Sequence, residues 1–416
     1  MIDLKLLRAS PAQVRAALGR RGDPSLTRLL DEIESLDMKR RTLTAQLDTL
    51  KAERNDAAKS DAVAAKSGGL PATIVAERRK LGERITALES ELRQIETTLE
   101  AKALFVPNLP LPDVPDEQTT LRSWGTPAPK GGKPHWEIAE NLGILDLAAG
   151  AKLAGSGFPV LRGMGARLAR GLINFMLDLH TREYGYIEVE PPLLVRREVM
   201  TGTGQLPKFE DDVYRTTDDL FLVPTAEVPV TNLHRDEIID RPLPLGYVAY
   251  TPCFRREAGA AGKDTRGLLR VHQFDKVELV RFCRAADSPA EHEKLTGHAE
   301  EVLRRLELPY RVAVLPANDF GFAAAKTYDL EAWAPGVGQW LEVSSSSTFT
   351  DFQARRANIR CRPRPGEKPE FVHTLNASGV ALPRTIAALL ETHQQSDGSV
   401  TVPPALVPYV GTDRLA

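Results

Sequence analysis

Two runs of apolar residues at heptad spacing, separated by a helix breaker, constrain the first quarter of this chain more than any other feature. From Leu29, apolar side chains recur at Ile33, Leu36, Leu43, Leu47 and Leu50, and Arg40 takes the skipped seam position. After SGGLPA (Ser67 to Ala72) the pattern resumes at Ile74 and runs through Leu81, Ile85, Leu88, Leu92, Ile95 and Leu99. Steps alternating between four and three keep one stripe on one helix face, which is the spacing of a coiled coil. Gly-Gly-Leu-Pro does not continue a helix, so the pattern predicts an antiparallel hairpin of about 35 residues per helix, roughly 50 Å long. Two helices enclose little interior, so the hairpin must project from a body as an arm. Its Lys/Arg and Asp/Glu residues are equal in number between Arg28 and Lys102. That balance leaves two readings open. One is a solvated coiled coil for protein contact; the other is an arm gripping nucleic acid through Lys39, Arg40, Arg41, Arg78, Arg79 and Lys80.

VPNLPLPDVPDEQ (Val106 to Gln118) ends the arm with four prolines, at Pro107, Pro110, Pro112 and Pro115, and reads as an extended linker. Beyond it, β-like runs such as YIEVE, YVAYT, KVELV and RVAVL are separated mostly by tight turns rather than by regular crossover helices. That pattern predicts an α+β body built on an antiparallel sheet. The boundaries expected are an arm domain over 1–104 and an α+β body over 105–416. At 416 residues the chain has room for both, and its net charge of −2 confines any polyanion-binding surface to local patches. Cys253, Cys283 and Cys361 stand singly with no CxxC pair, which fits a reducing compartment and offers no zinc pattern. MIDLKLLRAS lacks a signal-peptide core and no run approaches 18 apolar residues, so the expected setting is cytoplasmic, with no membrane.

FRREAGAAGKDTRGLLRVHQF (Phe254 to Phe274) places four arginines and a lysine around three glycines. An ordinary hairpin turn needs no such cluster of cations. YVAYTPCFRREA (Tyr247 to Ala258) reads as one strand and LLRVHQFDKVELV (Leu268 to Val280) as its antiparallel partner. On strands of period two, Glu257 shares a face with Arg255, and Phe274 shares a face with Arg270. Guanidinium forks suit phosphate oxygens, and a ring on the same face suits a nucleobase. The plainer alternative is a hairpin with solvated arginines and Phe274 in the core. No GxxxxGK[ST] or GxGxxG occurs, so a nucleotide site here is neither a P-loop nor a Rossmann crevice.

FRREAG followed by KDTRGLLRVHQFDKVE resembles the second signature motif of the class II aminoacyl-tRNA synthetases, in the form found in the seryl members. ARLARGLINFMLDLHTREYGYIEVEPPLLV (Ala166 to Val195) is similar to the first motif, a long helix and a strand ending at Pro191. GTGQLPKF, VPTAEVP, EVSSSS and TLNASGVALPRTIAALLE follow in the family's order, and the resemblance covers essentially the whole chain.

The resemblance implies ATP and L-serine as substrates, Mg²⁺ as cofactor, and the serine tRNA as acceptor, with the selenocysteine tRNA as a second. It implies that Arg255 contacts the α-phosphate and the serine carboxylate, that Glu257 meets adenine or its loop, and that Phe274 stacks on the base. Arg256, Arg270, Val271, Val343 and Ser344 complete the ATP site, Arg384 lies on the γ-phosphate side, and Glu342 and Ser345 hold the metal. For serine it implies Thr225, Ala226 and Glu227, with Thr225 and Glu227 toward the amino group. Glu278 serves the hydroxyl or amino end, and Ser378 and Arg255 complete the pocket. The arm reaches the long extra arm of the tRNA. A homodimer is expected, because Leu168, Leu172, Phe175, Met176 and Leu179 exceed what one helix face of a monomer requires.

Two departures stand out. NAS replaces the commoner NGS, NNT or NGT, which puts a methyl near the pocket, and Pro383 precedes Arg384 where many members have glycine. Two rivals remain: a relative that loads a carrier protein, which the arm argues against, and a silent paralogue, which the intact charged residues argue against.

Overall fold

The structure is a computed structural model and describes residues 1–65, 71–258, 266–364 and 366–416. The glycines of the arm's expected turn, and residues 259–265 of the cation-rich loop, lie outside the described residues. The chain divides into two compact units, Met1–Pro107 and Asn108–Ala416.

Among its described residues the first unit contains helices and no strand. Short helices α1 (Leu4–Ala9) and α2 (Pro11–Gly19) precede the long α3 (Ser25–Ala65) and α4 (Ala72–Ala103). Ion pairs between α3 and α4 join Glu32 to Lys102, Lys51 to Glu89 and Asp61 to Arg78, so partners descend along one helix as they ascend the other. The two helices are therefore antiparallel, as the breaker predicts. Leu47, Leu50 and Ile85 are buried between them, with Leu81, Leu88 and Leu92 packed alongside.

Near its base the seam differs from the expected one. Leu26, Leu30 and Ile33 are buried there, whereas Leu29 and Leu36 are only half-buried. The next seam position holds Asp37, buried and bonded by both Arg8 and Arg40. Short α1 and α2 give the base a second layer to pack against, which a two-helix heptad pattern does not anticipate. Of the six cations considered for nucleic acid, Arg40, Arg78 and Arg79 are paired within the arm, while Lys39, Arg41 and Lys80 are exposed.

The second unit is built on an eight-stranded sheet: β1 (Thr119–Trp124), β2 (Ile187–Glu188), β3 (Leu245–Phe254), β4 (Gln273–Cys283), β5 (Tyr310–Val314), β6 (Lys326–Ala334), β7 (Gln339–Thr348) and β8 (His373–Ala381). Their spatial order is β1-β5-β6-β7-β8-β4-β3-β2, antiparallel throughout except for the pairing of β2 with β3. Helices α5 (Met164–Arg182), α6 (Arg197–Thr203), α7 (Ser288–Arg305), α8 (Phe352–Ala357) and α9 (Leu382–Thr392) flank it. The α+β expectation holds.

Period-two alternation divides the sheet's faces. Val277 and Leu279, Leu375 and Ala377, and Tyr328 and Leu330 join one core cluster with apolar residues of α5, α7 and α9. Residues of the opposite parity, Lys276, Asn376, Ser378, Thr327 and Asp329, line a cleft. Ala377 is fully buried in that core cluster, so the methyl of the NAS departure lies on the core side and not in the pocket. Pro383 occupies the first turn of α9, where the missing N–H costs nothing.

Three further expectations are corrected. Leu168, Leu172, Phe175, Met176 and Leu179 are all buried within this chain and satisfy its own core, so they offer no surplus helix face for a partner, while the homodimer expectation itself stands. YIEVE contributes only Ile187 and Glu188 to the sheet. The proline-rich connector is docked rather than free from Asn108 onward. The Asn108 side chain donates to the Ala323 and Phe349 carbonyls, and Val114 is buried beside Leu315 and Phe320.

Candidate active site

The cleft encloses about 760 Å³ and draws its walls from β4, β6, β7 and β8, the residues just after β3 and just before β4, the first turn of α9 and the segment after α6. Of the residues named from sequence, it brings together Thr225, Glu227, Arg255, Glu257, Arg270, Val271, Phe274, Glu342, Val343, Ser344, Ser345, Ser378 and Arg384. Arg256, Ala226 and Glu278 are not on its wall. Arg256 is held through its backbone N–H to the Asp212 carbonyl (2.9 Å), and Ala226 packs in a core cluster with Val230 and Ile239. Glu278, fully buried, lies one layer behind.

At the phosphate end, the strand-parity argument fails for a local reason. β3 ends at Phe254 and β4 begins at Gln273, so Arg255, Glu257 and Arg270 are outside both strands. Glu257 adopts a left-handed backbone at φ 50°, which turns its carboxylate back to pair with Arg270. The Arg255 guanidinium lies 5.1 Å from the centre of the Phe274 ring, and its Nε donates to the Pro224 carbonyl at 3.3 Å. Across the cleft, Arg384 donates from Nε to the Leu269 carbonyl (3.0 Å) and from Nη1 to the carbonyl (2.9 Å) and carboxylate (3.1 Å) of Glu342.

Glu342 and Ser345 are three apart on β7, a spacing that alternation alone would send to opposite faces. The register explains their convergence. Leu330 pairs with Ser344 and Glu331 with Glu342, so Val343 is the extra residue of a β-bulge. Ser345 sits directly opposite Asp329, whose carboxylate accepts the Ser345 hydroxyl. Burial, and after it the Glu342 carboxylate, hold Asp329 well above the usual carboxylate range, and its Oδ1 has no hydrogen-bond partner. Asp329 lines the cleft but carries no sequence signal, because nothing before pairing places it beside Ser345.

These donors are all oxygens, which suits a hard cation such as Mg²⁺. Among the described residues no group of three or more His, Cys, Asp or Glu is disposed to hold a metal alone.

The other end of the cleft is a continuous polar network. Lys276 pairs with Glu278 and donates to the Thr225 hydroxyl at 2.8 Å. Thr225 in turn donates to Glu278 Oε2 at 3.3 Å. The Asn376 amide bridges both acids, at 2.9 Å to Glu278 Oε1 and 3.0 Å to Glu227 Oε2. Burial, reinforced by the nearby Glu278, pushes the Glu227 carboxyl up to about 7. Two carboxyls share this network with one ammonium, and the Arg255 guanidinium also lies near Glu227. Lys276 and Asn376 were missed from sequence, although an even offset from Glu278 and from Ser378 within DKVE and NAS marks them.

Residues 208–393 match the family model for the tRNA synthetase class II core domain (G, H, P, S and T), and residues 1–110 match the seryl-tRNA synthetase N-terminal domain. A serine--tRNA ligase of Gemmatimonas aurantiaca is 56% identical over 425 residues, covering 100% of both chains. A serine--tRNA ligase of Pelobacter propionicus is 52% identical, covering 99% of each. The crystal structure of seryl-tRNA synthetase from Pyrococcus horikoshii complexed with ATP superimposes with a TM-score of 0.95 at 40% identity, covering 100% of this chain and 99% of that one. Arm, sheet and cleft together with these full-length similarities establish that the chain belongs to the seryl-tRNA synthetase family.

Proposed function

We propose that the chain is a serine–tRNA ligase of the cytoplasm that activates L-serine with ATP and transfers it to the 3′ end of the serine tRNA. A serine carboxylate oxygen attacks the α-phosphorus, the bond to the β-phosphate oxygen breaks, and pyrophosphate leaves with its electron pair. The ribose hydroxyl of the terminal adenosine then takes the seryl group and AMP departs. The attacking carboxylate is already ionised, so activation calls for alignment and charge neutralisation rather than a strong base. Arg255 supplies both at the reacting atoms, Phe274 and Arg384 hold the base and polyphosphate, and Glu342 and Ser345 would hold Mg²⁺, which would supply further neutralisation of phosphate charge. Arg270, Val271, Val343 and Ser344 complete the ATP contacts, whereas Arg256 stands off the cleft wall and supports the site through its backbone bond to Asp212.

Thr225, Glu227 and Ser378 line the serine pocket, Glu278 acts from behind it through Thr225 and Asn376, and Ala226 packs in the core between Thr225 and Glu227. A pocket whose buried polar groups expect a hydroxyl rejects alanine, which would leave them unpaired, and its small size rejects threonine. The unit over 1–104 serves the tRNA body and that over 105–416 the chemistry, in a homodimer. The selenocysteine tRNA is a second acceptor in this reading.

The observation that carries the proposal is the single cleft with a cationic, phosphate-suited end and an acidic, ammonium-suited end. Aminoacylation of total tRNA with each of the 20 amino acids, with purified selenocysteine tRNA as a separate substrate, tests it. Serine alone should be incorporated; preferential charging with another amino acid would sink the reading.

A further inference from the structure

Gln353 is fully buried on α8 and is absent from the cleft wall, so it has no surface to offer a substrate. Yet its amide is wholly committed to the serine end of the site. Nε2 donates to Glu227 Oε1 at 2.5 Å and to the Thr203 carbonyl at 3.2 Å, while Oε1 accepts the Thr374 hydroxyl at 2.6 Å. A carboxylate and a carbonyl are acceptors only, which fixes the amide's orientation. Thr203 ends α6 and opens the segment Thr203, Gly204, Gln205 that lines the cleft. Three residues further along α8, Arg356 Nη1 donates to the Thr201 and Leu206 carbonyls, each at 3.1 Å, so the same helix holds that segment at both ends.

We infer that Gln353 is a positioning residue for serine recognition, which keeps Glu227 an aimed acceptor for the substrate ammonium and ties it to the cleft wall at Thr203. The inference rests on the assignment of Glu227 to the serine amino group. Glu227 is faced by Glu278 and Lys276 from β4, by Arg255 beyond β3, by Asn376 from β8 and by Gln353 from α8. Burial and Glu278 oppose its ionised form, whereas the Gln353 amide favours it. Removing the amide therefore leaves more of Glu227 neutral in the empty pocket at neutral pH, and serine must then bind the minority form. ATP, at the other end, should feel little of this.

The test is pyrophosphate exchange by full-length Gln353→Met at pH 6.5, 7.5 and 8.5. Serine KM should rise about tenfold or more at pH 6.5, the scale of one charge-assisted hydrogen bond. The excess over the parent should shrink toward pH 8.5, with ATP KM within about twofold. Gln353→Glu should show the reverse trend, because at high pH it sets two carboxylates face to face. An unchanged serine KM in Gln353→Met, or equal rises for serine and ATP at every pH, overturns the inference. If that variant does not fold, Thr374→Val, which frees the amide without removing it, replaces it, and an unchanged serine KM there is equally decisive. Glu227→Gln separates the two levels: an unaltered serine KM in that variant defeats the site assignment, whereas a raised one with a silent Gln353→Met defeats only the role of Gln353.

Discussion

Arg384 holds the carboxylate of Glu342 at 3.1 Å, so the cation proposed for the polyphosphate and the acid proposed for the metal pair directly with each other. Both side chains are partly exposed, so the pair itself adds little stability. Its consequence lies in binding: substrate phosphates and their metal must take over both groups at once. Glu342→Gln should therefore raise the Mg²⁺ concentration for half-maximal pyrophosphate exchange about tenfold or more, the scale of one lost charged contact. Serine KM should stay within about threefold of the parent. A Mg²⁺ titration that superimposes on the parent's would remove Glu342 from the metal site.

Arg255 makes the second testable contact, because it faces both the Phe274 ring and the reacting phosphate's proposed position. Loss of one charge-stabilising group commonly costs about 10²–10³ in rate, so Arg255→Ala, like Arg384→Ala, should nearly abolish exchange. Phe274→Leu keeps the apolar volume but loses the flat ring. Base–aromatic stacking is worth about 1–3 kcal/mol, so ATP KM should rise roughly 5- to 150-fold while serine KM barely moves. Near-parental exchange in both arginine variants would contradict the assignment of the phosphate end.

Buried histidines set an acid limit on the body. His292 donates from Nε2 to the Ser346 carbonyl at 3.0 Å and stacks on Tyr328, with ring centres 4.5 Å apart. Burial pulls it down from 6.5 to about 4, and His298 likewise to about 4. A folded-state value below the unfolded one means the unfolded chain binds more protons in that window. The stability these residues confer is whole above pH 6.5 and drains away as pH falls toward 4. The melting temperature should therefore drop between pH 6.5 and 4.5, and less steeply in His292→Gln than in the parent. Identical slopes in thermal melts of the two proteins would exclude His292 as a contributor.

How much of this was legible beforehand follows from which forces act locally. Heptad spacing fixed the antiparallel arm because each seam residue needs only its own helix and one partner. It missed Asp37, because the base packs against α1 and α2, which lie outside the repeat. FRREAG and VHQF named the cation and ring of the cleft, but parity could not place Glu257, whose left-handed backbone, outside both strands, turns its carboxylate to Arg270. Glu342 and Ser345 converge only through the bulge at Val343. Asp329 and Gln353 reach the site through strand pairing and helix packing far along the chain, contacts no local pattern encodes.

Deleting the arm from Leu29 to Leu99 should separate the two half-reactions. Lys102 pairs with Glu32 at 2.7 Å, so the helices meet at the base and a short glycine-serine bridge can join the cut ends. The second unit has its own core, drawn from the sheet and α5, α7 and α9, and owes none of it to residues 29–99. Every residue assigned to ATP or serine lies at or beyond Thr225. Pyrophosphate exchange should therefore survive within a few-fold. Exposed Lys39, Arg41 and Lys80 remain the candidate phosphate contacts of the arm, and such contacts supply much of nucleic-acid affinity with a steep salt dependence. Charging of serine tRNA should fall by about two orders of magnitude or more, and the intact protein's tRNA affinity should weaken as salt rises. Replacing the three cations with glutamine in the full-length chain should flatten that salt slope while leaving exchange unchanged. If the armless protein charges serine tRNA at parental efficiency, the arm is not the tRNA grip, and the body alone selects the acceptor.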